Sequence, residues 1–107
     1  MLSIAFVGEK TIAELNKRYL RRRGATDIIT FAFRTAGGDG GLIGDIYICP
    51  KVARENARQQ RVRFKEEILR LVVHGVLHAI GYDHPEGADR MSSPMWKQQE
   101  RIVARVA

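Results

Sequence analysis

The chain has 107 residues, 45% hydrophobic and 28% charged, the balance of a globular protein rather than a disordered one, and that length suits a single domain, residues 1–107, around one core. No apolar run approaches the roughly 18 residues of a membrane span, MLSIAFVGEK is too short and too soon charged for a secretory leader, and Cys49 as sole cysteine excludes a disulfide framework and a thiolate metal cage, so a reducing, cytoplasmic location is expected. Eighteen Lys and Arg against twelve Asp and Glu leave a net charge of +6, which favours a polyanionic partner such as RNA or DNA, with plain solubility as the alternative reading.

In chain order, LSIAFV (2–7) reads as a strand. Thr11 opens T-I-A-E, a capping box with Glu14 as reciprocal partner, so a helix is expected to run to about Leu20 with Ile12, Leu15 and Tyr19 inward. KRYLRRR (17–23) is basic at five of seven positions, Arg21, Arg22 and Arg23 among them, just before the turn-like Gly24. DIITFAF (27–33) is β-branched and aromatic, hence a strand; AGGDGG (36–41) is a loop. LIGDIYIC (42–49) is another strand, with Gly44 a candidate bulge. Pro50 suits the first position of a helix to about Gln60, and Lys51, Arg54, Arg58 and Arg61 follow the spacing that lines one helix face. Either basic group can bind phosphates or be an ordinary solvated face. Phe64 to Ile80 is a longer, largely apolar helix. Ser93-Pro94 caps a last helix with Met95, Ile102, Val103 and Val106 inward. Strands and helices mixed in this order predict an α+β fold, a mixed sheet with helices packed on it.

All three histidines fall within HGVLHAIGYDH (74–84). Ile68, Leu69, Leu71, Val72, Val73, Val76, Leu77 and Ile80 make their helix apolar on most sides, so it is expected to be buried. His74 and His78 then share one face, about 6 Å apart along the axis. Gly81 stands where helices commonly end in a left-handed residue, so His84 can swing back towards the same face. As ordinary residues, two buried imidazoles would each need a partner, at a cost of roughly 1–3 kcal/mol if left without one. A shared metal satisfies both. The spacing H-x3-H-x5-H also resembles the start of the metzincin motif.

Three nitrogens without thiolate favour zinc, one ion per chain, and three protein ligands with the fourth position left to water are the catalytic pattern. Such a site lowers the pKa of its water to about 7. Asp45 or Asp83 is a candidate for orienting a ligand, with turn formation as the alternative. In zinc peptidases the residue after the first histidine is a glutamate; here it is Gly75, which weighs against peptide cleavage and leaves phosphodiester cleavage, with no side chain assigned as general base. Glu67, about 10 Å from His74 along the axis, is too far to serve.

HGVLHAIGYDH resembles the H-G-x-L-H-L-x-G-Y-D-H signature of the bacterial rRNA maturation factors of the YbeY family. ATDIITFAF (25–33) is similar to the family's T-D-V-L-S-F-P, and LIGDIYIC (42–49) to its L-G-D-I-x-I strand; together the likeness spans about residues 14–84. It implies a zincin-like fold with the metal site on a buried helix, and His74, His78 and His84 as zinc ligands. It also implies a zinc-dependent endoribonuclease specific for single strands, acting in 16S rRNA 3′-end maturation and ribosome quality control, with rRNA and the small ribosomal subunit as partners. Ala79 and Ala32 stand where the family has leucine and proline. Leu20 stands where many members carry arginine. Family members usually have a further strand and helix before the segment matching LSIAFV, so either a smaller sheet or an edge covered otherwise is expected here. The rival readings are a ribosome-associated RNA-binding factor with a structural metal and a metallopeptidase.

Overall fold

A computed structural model describes residues 1–34, 41–82 and 93–106 of the chain. Among them, three strands and four helices follow in the order β1 (Leu2–Phe6), α1 (Glu9–Leu20), β2 (Ile28–Arg34), β3 (Leu42–Ile48), α2 (Pro50–Gln60), α3 (Phe64–Ala79) and α4 (Pro94–Val106). β3 lies between the other strands, parallel to β1 and antiparallel to β2. The period of two along β3 decides the layers: Ile46 and Ile48 are buried on one face, while Asp45 and Tyr47 turn to the other.

The register sets Ile28 of β2 opposite Ile48, on the same face. Against that face pack Ile68, Leu71, Val72 and Val76 of α3, with Ala53 of α2 filling the corner. Ile29 and Phe31, on the opposite face, are covered by Ile12 and Leu15 of α1. On its far side α3 meets α4, where Leu69, Val73 and Leu77 pack on Met95, Ile102 and Val103. Helix α3 is therefore the middle of a sandwich, which is why its sequence is apolar on most sides. Each fully buried Leu or Val there contributes about 1.5–3 kcal/mol. The expected α+β architecture is what the structure shows. No helix among the described residues is long and apolar enough to cross a membrane.

Local expectations hold in some places and fail in others. Pro50 opens α2, and the Ser93 hydroxyl accepts the Trp96 N–H at 3.1 Å as the cap of α4. Helix α1 begins two residues before the expected capping box. Gly8 stands at the N-cap with no side chain to cap it; its carbonyl accepts the first intrahelical bond, from the Ile12 N–H at 3.1 Å, and Glu9 in the first turn complements the helix dipole. Thr11 and Glu14 are interior positions. Tyr19, expected inward, is 56% exposed and turns only its ring edge to Phe31, at a centroid distance of 5.4 Å. Val106, also expected inward, is exposed because α4 ends there. The AGGDGG loop lies outside the described residues except for Gly41.

Gly44 is not a bulge. It faces Leu2 on one side and Ala32 on the other in unbroken ladders. A Cβ there would stand 2.5 Å from the Phe31 carbonyl oxygen and 2.9 Å from the Ala32 Cβ, so glycine is required by close approach. Gly44→Ala should cost about 1–3 kcal/mol by overpacking, which in a domain of this size lowers Tm by about 4–8 °C per kcal/mol. Gly8→Ser, with nothing within 4 Å of its Cβ, should match or exceed the wild type. Thermal melts of both variants check this; a Gly44→Ala protein melting with the wild type would show that the strands separate freely.

Candidate functional site

The i, i+4 geometry of α3 lines up a polar row, Glu66, Arg70, His74 and His78, along a largely apolar helix. His74 and His78 stand one turn apart with ring centroids 6.5 Å apart and planes within 6° of parallel. The face they share is not buried along its length as expected. His74 is half-buried and His78 exposed, so the row opens to solvent at the C-terminal end of the helix. There the chain stops as anticipated. Gly81 takes φ +115°, its N–H donates to the His78 carbonyl at 3.2 Å, and the Tyr82 N–H reaches back to the Leu77 carbonyl at 3.0 Å. His84, the expected third ligand, and Asp83 lie outside the described residues. Among the described residues no three His, Cys, Asp or Glu side chains gather in a group able to hold a metal.

The partner that sequence reasoning missed comes from α4. Gln99 is 2% exposed, and its Oε1 lies 2.8 Å from His74 Nδ1. Its Nε2 donates to Glu100 Oε2 at 3.1 Å. Glu100 in turn receives both arms of Arg70, Nε at 2.9 Å and Nη2 at 2.8 Å, while Arg70 Nη1 reaches Glu66 at 3.3 Å. The hydrogen bonds that Arg70 donates hold the Glu100 carboxyl below the usual carboxylate range, and the carboxylate that accepts them pushes the guanidinium pKa further up. A signal for Gln99 is present in the sequence. It falls four residues after Met95 and four before Val103, a polar residue on the inward stripe of α4.

Three other positions that the sequence singles out stand apart from the histidine pair. Asp45, a candidate for orienting a histidine, sits on the sheet face away from α3 and accepts the Ser3 hydroxyl. Gly75 turns towards the sheet: a Cβ there would stand 3.0 Å from Ile46 Cγ2 and 3.1 Å from Ile28 Cδ1. Glu67, too distant from His74 to act as a base, is only 4% exposed, and its Oε1 has no hydrogen-bond partner among the described residues. Burial first, and then the nearby Asp27 carboxylate, push its carboxyl up from 4.5.

The basic groups are exposed but unequal. Lys51 pairs with Glu9 at 2.7 Å, Arg58 lies 3.8 Å from Glu55, and Arg54 stacks over the Phe64 ring at 4.2 Å. Arg61 is the left-handed residue that ends α2, φ 57°, rather than a fourth member of the helical row. Arg21 ends α1 in the same way, and Arg22 and Arg23 follow it on the surface. Arg23 joins Lys10 and Lys17 around an open groove that also touches Glu14. Lys10 belongs to neither basic group that the sequence points to.

The family model described as Endoribonuclease YbeY matches residues 1–107. The chain belongs to the YbeY endoribonuclease family. A Thermotoga petrophila YbeY endoribonuclease is 36% identical over 105 residues, 98% of this chain and 67% of the relative. One from Frankia alni is 36% identical over 113 residues, 96% of this chain and 61% of the relative. The solution structure of a Thermotoga maritima protein superposes with a TM-score of 0.67 at 36% identity, covering 98% of this chain and 67% of that one. The match to the YbeY family extends past residue 84, where the sequence resemblance stopped, and takes in α4 with Gln99 and Glu100.

Glu67 yields a prediction with a definite sign. A carboxyl whose folded pKa is raised contributes full stability below its unfolded pKa and loses it as pH climbs towards the folded value. Glu67→Gln keeps the shape and removes that loss. The variant should equal the wild type near about pH 4 and exceed it near about pH 7 in denaturant midpoint. Urea titrations at both pH values check it, and a wild type that gains on the variant with rising pH would reverse the assignment.

Proposed function

We propose that this chain is a zinc-dependent endoribonuclease acting on single-stranded RNA, with His74, His78 and His84 holding one zinc ion. The observation that carries the reading is the pair of parallel imidazoles one turn apart on α3, in a chain that belongs to a family of endoribonucleases. The donors suit zinc: both are imidazoles, and the Nδ1 of His74 already has an acceptor in Gln99, the arrangement in which the other ring nitrogen serves as ligand. When bound, zinc supplies Lewis-acid chemistry and a water of lowered pKa. The chain's own residues supply the rest. Gln99 orients His74. Arg21, Arg22 and Arg23 beside α1 and Lys51, Arg54, Arg58 and Arg61 along and beyond α2 offer cationic groups to a phosphate backbone.

In this reading the fold is zincin-like, with the metal site on α3 and a water as the attacking group. The substrate is rRNA, the process 16S 3′-end maturation and ribosome quality control at the small subunit, and the place the cytoplasm. The packing of Gly75 against Ile46 and Ile28 speaks against the peptidase reading, because a side chain at that position would be driven into the sheet rather than towards a scissile bond.

Zinc-loaded protein incubated with single-stranded RNA should cleave it, and His78→Ala should lose zinc stoichiometry and cleavage together. Replacing Arg54 and Arg58 by alanine should leave zinc content intact and flatten the dependence of log affinity on log salt by about 0.7 for each phosphate no longer held. Elemental analysis, analysis of cleaved ends and salt titrations of RNA binding decide the matter. Full cleavage by His78→Ala overturns the metal role, and an unchanged salt slope makes the α2 row only a solvated face.

Chelation should also lower Tm. A metal at a hundredfold excess over its Kd stabilises the native state by about 2.7 kcal/mol. An unchanged melt after verified zinc removal argues against a metal bound to the folded state.

A further inference from the structure

The hydrogen bonds between Arg70 and His74 run in one forced direction. A guanidinium has donors only, so both oxygens of Glu100 accept from Arg70. An ionised carboxylate has acceptors only, so the end of the Gln99 amide facing Glu100 at 3.1 Å is its NH2. The other end of that amide is then a carbonyl oxygen, and it faces His74 Nδ1 at 2.8 Å. A carbonyl cannot donate, so the proton of that bond sits on Nδ1, and in the neutral form of the ring the lone pair is then on Nε2. Turning the amide over would set its carbonyl against the Glu100 carboxylate and its NH2 against the imidazole, which is unfavourable at the first position and reverses the tautomer at the second. Burial shields the link itself: Gln99 is 2% exposed, between an Arg70 side chain 19% exposed and a Glu100 side chain 33% exposed.

We propose that Arg70, Glu100 and Gln99 form a directional relay that fixes His74 as its Nδ1–H tautomer and presents Nε2 as the metal-binding nitrogen, which makes Gln99 a positioning residue. The metal consequence rests on the zinc reading of the site; the tautomer does not. In water the free side chain favours the opposite, Nε2–H, form. The relay therefore carries information from an ion pair between α3 and α4 to a ligand on α3.

The test uses the full chain, first metal-free and then titrated with zinc. Long-range proton–nitrogen NMR on metal-free protein should show His74 as Nδ1–H in the wild type. Gln99→Leu, which keeps the site apolar and filled, should release His74 to the Nε2–H or a mixed form and weaken zinc affinity about ten- to a hundredfold. The double exchange Gln99→Glu with Glu100→Gln keeps an acceptor facing His74 and should restore both the tautomer and the affinity. Thermal melts confirm that each variant is folded. A wild-type His74 in the Nε2–H form, or a folded Gln99→Leu protein with the wild-type tautomer and zinc affinity, overturns the relay. A wild type that shows Nδ1–H and binds no zinc overturns the functional reading and the metal half of this proposal, and the NMR result separates the two failures.

Discussion

Helix α3 is clamped on two sides, and the rest of the structure depends on that double clamp. The sheet holds it through Leu71, Val72 and Val76 against Ile46 and Ile48. Helix α4 holds it through Val73 and Leu77 against Met95 and Val103. With two of its faces fixed by apolar packing, the helix has no freedom to rotate. The polar row from Glu66 to His78 is therefore set in one place, along the edge of the α3–α4 seam. Packing of this kind rejects small displacements because interiors are close-packed. The geometry of the histidine pair follows from hydrophobic packing that involves neither histidine.

The seam also explains why an ion pair is placed there. Arg70 and Glu100 are both shielded, with side-chain exposures of 19% and 33%. Such a pair adds little net stability over an apolar substitute, but losing one partner strands the other. Its value lies in orientation. A bidentate guanidinium–carboxylate pairing fixes the planes of both groups, and the neighbouring amide inherits that alignment.

What could be read in the sequence was what is local. The placement of His74 and His78 one helical turn apart, the glycine stop at Gly81, the Ser93 cap and Pro50 at the head of α2 each depend on atoms within a few residues, and all reappear in the structure. The burial of α3 was legible from its composition, though not the exposed end where His78 stands. What escaped was what depends on a distant partner. Gln99 lies 25 residues from His74, and periodicity tells which face a residue occupies but not what it meets there. Gly44 reads as a bulge until the Phe31 carbonyl is placed beside it. That Lys51, one of the basic stripe, pairs with Glu9 of another helix could not be read from its spacing. The Thr11 capping box gave way to a start at Glu9, where the first intrahelical bond runs to the Gly8 carbonyl and the acidic side chain complements the helix dipole.

The close approach of Gly75 to the sheet limits how this scaffold can be retooled. Two ring nitrogens on one helix turn invite comparison with hydrolases that place an acid beside the first of them, and a single codon change would supply that acid. In this chain the neighbouring position is filled by Ile46 and Ile28, so the shortest mutational path to amide-bond chemistry leads first through a disrupted core. A carboxylate would have to arrive from another element. The fold thus separates two kinds of change: substitutions at the solvent-facing arginines leave the core untouched, while position 75 is held small by the side chains of the sheet beneath it.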